Sequence, residues 1–139
     1  MNVIVLFDTR KEALIMAETL KLAVPTMGKA GLNAQRSGHF GHCDCFTLVD
    51  IVDGELTNVT ELDNPPHEEG GCIAIVDLLK DQGVQAIAAA GMGMRPMQGF
   101  ANAGITVYYD AEHPIVGDTA KLVAEGKLPN MTADQAWQH

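Results

Sequence analysis

Asp53-Gly54 stands between two runs that each read as a β-strand, residues 45–52 and 55–62. A two-residue Asp-Gly link favours positive φ at both positions, and the twist of that turn matches the twist of its flanking strands. It therefore commits the two runs to an antiparallel hairpin. A short apolar run at 21–25 (KLAVP) precedes the hairpin and reads as a buried strand. Downstream the periodicity changes. Cys72, Ile75, Val76 and Leu79 share one helical face over 72–82, with Gly83 placed to end the helix. Residues 84–90 form the next buried strand, followed by a helix over 95–103 with Met97, Phe100 and Ala101 at helical spacing. Pro96 falls in its first turn and Gly104 just after its end. A strand at 105–109 and a helix at 116–125 follow, and Thr132 can cap a last turn reaching Trp137 and His139.

The order β-β-β-α-β-α-β-α predicts an α/β protein with a mixed five-stranded sheet and helices on its faces. The first three strands form an antiparallel meander, so strands one and three point the same way. Right-handed crossovers then align the later strands with the third. The loops at 26–44, 63–71 and 91–94 should open on one edge of the sheet, the carboxyl edge where open α/β sheets take ligands. Residues 1–8 read as a strand and 11–20 as a helix outside this scheme. The sequence divides into an N-terminal extension at 1–20, a domain at 21–128 and a tail at 129–139, with Met16 an alternative natural start.

A chain of 139 residues suits one domain able to bury about two-thirds of its unfolded surface. No apolar run reaches membrane-spanning length, and no secretory pattern opens the chain, so a cytoplasmic protein without a membrane role is expected. The net charge of −9 repels phosphate backbones and argues against nucleic-acid binding. An anionic ligand would need a locally positive site, for which Arg36, Arg95 and Lys29 are the available cations near the glycine-rich loops.

The chemistry-bearing residues are concentrated on those loops. Ser37-Gly38-His39-Phe40-Gly41-His42-Cys43-Asp44-Cys45 and Asn64-Pro65-Pro66-His67-Glu68-Glu69-Gly70-Gly71-Cys72 together hold all 3 cysteines of the chain. Imidazoles and thiolates suit copper, zinc, iron and metal–sulfur clusters. The candidate metal ligands are His39, His42, Cys43, His67 and Cys72. Cys45 is a weaker candidate, because alternate residues entering a strand point to opposite faces. An odd number of cysteines and no C-x-x-C pair argue against a disulfide framework and against a conventional zinc or iron–sulfur site.

Gly91-Met92-Gly93-Met94-Arg95 follows a strand and opens a helix, and Gly70-Gly71 opens another. Amides at such helix starts cradle anions. Arg36, Gly41, Gly70, Gly71, Gly91, Gly93 and Arg95 are therefore the candidate contacts of an anionic ligand. The third glycine of a dinucleotide fingerprint and the lysine of a phosphate-binding loop are both missing.

Four blocks in order carry a resemblance: Ser37 to Cys43, Asn64 to Gly70, Ala90-Gly91-Met92-Gly93-Met94-Arg95, and Gly104-Ile105-Thr106-Val107. Together they resemble the dinitrogenase iron–molybdenum cofactor biosynthesis family, which includes nitrogenase cofactor carriers and orange proteins. The resemblance implies a ribonuclease H-like three-layer α/β fold without ribonuclease activity. It also implies non-catalytic binding of an anionic metal–sulfur cluster, of iron–molybdenum or molybdenum–copper sulfide type. The histidine implicated in cluster binding by cofactor carriers maps onto His39, whereas the family pattern assigns no role to the cysteines.

The expected function is thus a small carrier or scaffold that receives a cluster from a donor protein or delivers it to a recipient. A second reading is a regulatory module partnering a nucleotide-dependent metal-carrier ATPase. A third is a mononuclear metal hydrolase using His39, His42 and His67, with Glu68 as base.

Overall fold

A computed structural model of the chain describes residues 19–38, 43–64 and 71–132, with the side chains of 71–73 outside the description. The described elements are β1 (Thr19–Met27), β2 (Gln35–Arg36), β3 (Cys45–Val52), β4 (Glu55–Asp63), α1 (Gly71–Asp81), β5 (Ala86–Ala89), α2 (Met94–Ala103), β6 (Thr106–Tyr109) and α3 (Val116–Ala124). The sheet runs β4-β3-β1-β5-β6, with β2 paired to β1 off this path. β3 is antiparallel to both β1 and β4, while β1, β5 and β6 are parallel. Asp53 and Gly54 adopt φ of 51° and 85°, the positive pair that the hairpin requires.

Strand alternation splits the core into two layers of side chains. Ala23, Phe46, Leu48, Ile87 and Ala89 meet Ile75, Val76 and Leu79 of α1 and Phe100 of α2. Leu22, Val24, Val49, Ile51, Ala86 and Ala88 meet Val116, Ala120 and Val123 of α3 on the opposite face. Gly83 (φ 80°) turns the chain out of α1, and Gly104 (φ 78°) does the same after α2, returning N–H bonds to Ala101 and Phe100.

Among the described residues the sheet has six strands rather than the expected five. The extra one, β2, is only 2 residues long, too short to carry any periodicity, and its pairing to Thr26 and Met27 is set by the tertiary fold. β1 begins at Thr19, two residues before the expected start, and runs on to Met27. Ala101, expected to face the core, is exposed. Residues 129–131, at the start of the stretch outside the resemblance, lie along β6: Tyr109 N–H donates to Pro129 O and Met131 N–H to Val107 O, each at 2.8 Å.

Candidate functional site at the carboxyl edge

β1, β4, β5 and β6 all end on one edge of the sheet, and β3 begins there. The loops flagged in the sequence are pinned to that edge by backbone bonds. Ser37 N–H donates to Pro25 O at 2.8 Å, and Asp44 N–H donates to Thr26 O at 3.0 Å. The chain that carries His39 and His42 therefore leaves and re-enters the described fold at adjacent residues of β1. His39, Gly41, His42, His67 and Gly70 themselves lie outside the described residues.

The second loop is tied to the first. Asn64 Nδ2 donates to Cys43 O at 2.7 Å and lies 3.7 Å from Cys43 Sγ. The Asp44 carboxylate accepts Gly28 N–H at 2.7 Å, and Glu61 accepts Ala30 N–H at 3.0 Å, which fixes the turn after β1. Beneath them the buried hydroxyls of Thr26 and Thr47 lie 2.7 Å apart, and Thr47 also accepts Gly31 N–H. This polar seam lets an otherwise aliphatic sheet hold a loop whose amides would be costly to bury without partners.

Cys43 and Cys45 are not presented as thiolates. Cys43 is 5% exposed and packs in the layer under α1 and α2, and burial pushes its thiol up to about 12. The Cys45 thiol donates to Gly28 O at 3.3 Å. Burial, with the charges of Glu61, Asp44 and Asp63 adding to it, pushes that thiol up to about 11. A thiolate is the form that binds metal, so Cys43 would have to lose a proton and leave its apolar surroundings to ligate. Cys72 lies in α1, but its side chain is outside the description.

The cationic side of the site is built differently. Arg36 is 8% exposed; its N–H donates to Pro114 O and its Nε to His113 O, both at 2.7 Å. Its buried Nη1 has no hydrogen-bond partner among the described residues. A guanidinium cannot give up its charge, so an unpaired buried nitrogen one residue from Ser37 is a ready anion contact. Gly91 and Gly93 link the end of β5 to α2 on the same edge, and Gly71 opens α1. Neither helix has an acidic residue in its first turn to offset the positive end of its dipole. Arg95 is exposed at the start of α2. The donor set fits an anionic group held by charge and amides better than a thiolate-held metal.

Sequence reasoning did not single out Asp110 and His113, which follow β6 on this edge. Asp110, 3% exposed, accepts Thr119 Oγ1 of α3 at 2.9 Å and the N–H groups of Glu112 and His113 at 2.9 and 3.2 Å. His113 Nδ1 sits 3.0 Å from both carboxylate oxygens. Burial alone would raise the Asp110 carboxyl, but these donors together outweigh it and hold it below the ordinary carboxylate value. The hydrogen bond to Asp110 in turn raises the His113 imidazole. The available signal was positional: an acid three residues before a histidine, directly after a parallel strand.

An open groove of about 320 Å3 lies between α2, β6 and residues 130–131, lined by Met94, Met97, Ile105, Val107 and Met131. Gln98, Thr106 and Asn130 complete its lining, which holds no acid–base pair.

The described residues form a six-stranded mixed α/β sheet with three helices, and the buried Arg36 and the glycine turns into α1 and α2 lie toward its carboxyl edge. The family model for dinitrogenase iron-molybdenum cofactor matches residues 20–126, and the chain belongs to that family. An uncharacterized protein of Methanocaldococcus jannaschii, MJ0580, is 30% identical over 117 residues, covering 83% of this chain and 94% of that protein. The crystal structure of PH0822 superposes with a TM-score of 0.69 at 26% identity, over 82% of this chain and 98% of that one. The apo orange protein of Desulfovibrio gigas has the same fold, with a TM-score of 0.70 at 23% identity over 84% and 96% of the two chains.

Proposed function

We propose that this protein is a small, non-catalytic cytoplasmic carrier or scaffold for an anionic metal–sulfur cluster, serving cofactor assembly or delivery. Family membership supports the cofactor theme, and the ribonuclease H-like reading of the sheet rests on the sequence resemblance. The single observation that carries the proposal is Arg36, a buried cation whose Nη1 has no partner among the described residues, at the edge where the His39–His42 segment is anchored.

In this reading the cluster is cargo. His39 is its main protein contact, with His42 and His67 in support. Amides at Gly41, Gly70, Gly71, Gly91 and Gly93, with Arg36 and Arg95, offset its charge. Cys43 and Cys72 stand in supporting positions, and the protonated Cys43 thiol favours release, since a cluster bound by several thiolates would be hard to hand over. The cluster is of iron–molybdenum or molybdenum–copper sulfide type, and its donor or recipient is a cluster-handling protein. A metal-carrier ATPase is the partner to test first.

The test is anaerobic reconstitution of the native chain and His39→Ala, with iron and sulfide and separately with thiomolybdate and copper. Metal content and visible absorption are read after desalting. The expected result is a coloured, sulfide-containing species in the native chain, with retained metal lower by about tenfold or more in the variant. Retention no better than an unrelated protein in both mixtures would rule the carrier reading out.

A further inference from the structure

Asp110 and His113 form a constellation whose cost and geometry call for a role. A buried carboxylate that already accepts Thr119 Oγ1 and two backbone amides is well satisfied without an imidazole. The His113 side chain is 40% exposed, so its bond to Asp110 adds little as an exposed ion pair. What the bond does is orient the ring. An ionised carboxylate only accepts, so with Nδ1 at 3.0 Å from both oxygens the ring proton sits on Nδ1. Nε2 is then the outward nitrogen. A histidine whose other nitrogen is held by a carboxylate is the usual form of a metal-ligating imidazole, because the partner fixes the tautomer and makes the free nitrogen more basic.

The location matches. The carbonyls of His113 and Pro114 accept Arg36 Nε and N–H, so the His113 backbone is docked against the residue that precedes Ser37. Asp110 N–H donates to Ala89 O, which places the pair beside the end of β5, where Gly91 and Gly93 begin the turn into α2. The carboxylates of Glu112 and Asp118 add negative potential around the ring.

We infer that His113 is a further metal ligand of the site, presenting Nε2 to an exposed metal atom of the bound cluster, with Asp110 as its positioning residue. This inference rests on the carrier reading. Arg36 and the helix amides then neutralise the cluster as a whole, while His113 contacts one of its metals from the β6 side.

The discriminating variant is His113→Asn, whose amide can still donate to Asp110 from near the Nδ1 position but has nothing at Nε2. His113→Gln serves as a second variant should the first fold poorly. Each is reconstituted beside the native chain with iron and sulfide and with thiomolybdate and copper, and cluster loss to a chelator is timed. Thermal unfolding is recorded in parallel. The expected result near pH 8 is a nearly unchanged melting temperature in His113→Asn with cluster loss faster by about tenfold. Native-like retention in both variants would overturn the role of His113 while leaving the carrier reading standing. A native chain that takes up neither cluster would overturn the carrier reading and this ligand with it.

Discussion

Cys43 and Cys45 show how far residue type is from residue chemistry. Two thiols in C-x-C spacing beside two histidines look like ligands, yet burial raises them to about 12 and 11. Moving a thiol from 9.0 to about 12 leaves roughly a thousandfold less thiolate at neutral pH. Alkylation of the native chain by iodoacetamide at pH 8, followed by peptide mapping, should label Cys43 at least about a hundredfold more slowly than in urea. Equal rates in the two states would mean that the thiol is ionised and exposed. Asp110 is the converse case, an acidic side chain with no motif around it whose carboxylate gathers Thr119, His113 and two backbone amides. Asp110→Asn leaves one acceptor for those donors and should cost about 2–4 kcal/mol in urea unfolding. A cost below 0.5 kcal/mol, within the usual range for surface substitutions, would contradict the bonding described.

Among the elements, α3 is positioned by a close approach that only glycine permits. A Cβ on Gly117 would lie 2.7 Å from Leu32 O, and its N–H donates to that same oxygen. Val116 N–H likewise donates to Ala34 O, so the turn after β1 and the start of α3 are fastened backbone to backbone. Gly117→Ala should therefore destabilise the fold by about 1–3 kcal/mol, seen as a lower denaturant midpoint at an unchanged slope. An unchanged midpoint would show that the two segments part easily. The helices and long strands were legible because each carries its own period: Ile75, Val76 and Leu79 on α1, and Phe46, Leu48, Val49 and Ile51 alternating across β3. β2 was not legible, since a pair of residues has no period and gains its strand geometry from Thr26 and Met27.

For the whole molecule, the Asp110–His113 pair links stability to pH. Asp110 titrates below its ordinary 3.8 when folded, so its contribution is present above that value and is lost as pH falls through the folded one. His113 titrates above its ordinary 6.5, so its contribution is complete below 6.5 and is lost as pH rises through the raised value. Both contributions are full between 3.8 and 6.5. The melting-temperature gap between the native chain and His113→Asn should be widest in that window and narrow as the solution is made alkaline. A gap that stays constant up to pH 9 would mean that His113 keeps the same charge state folded and unfolded. Reconstitution near pH 8 therefore tests Nε2 with the least interference from stability.

The sequence by itself determined the order and kind of nearly every element and the edge on which the loops open. Hairpin chemistry at Asp53-Gly54, helical and strand periods, and the handedness of crossovers act over a few residues or follow from connectivity. The shared edge of the loops around Ser37, Asn64 and Gly91 followed from that topology. Only the tertiary structure decided which groups on the edge are charged, buried or paired. Arg36 meets His113 across 77 residues, Asn64 meets Cys43 across 21, and Thr119 reaches Asp110 from the helix on the far side of the sheet. Desolvation and hydrogen bonding depend on what lies within a few ångströms in space, and that neighbourhood exists only once the sheet has closed.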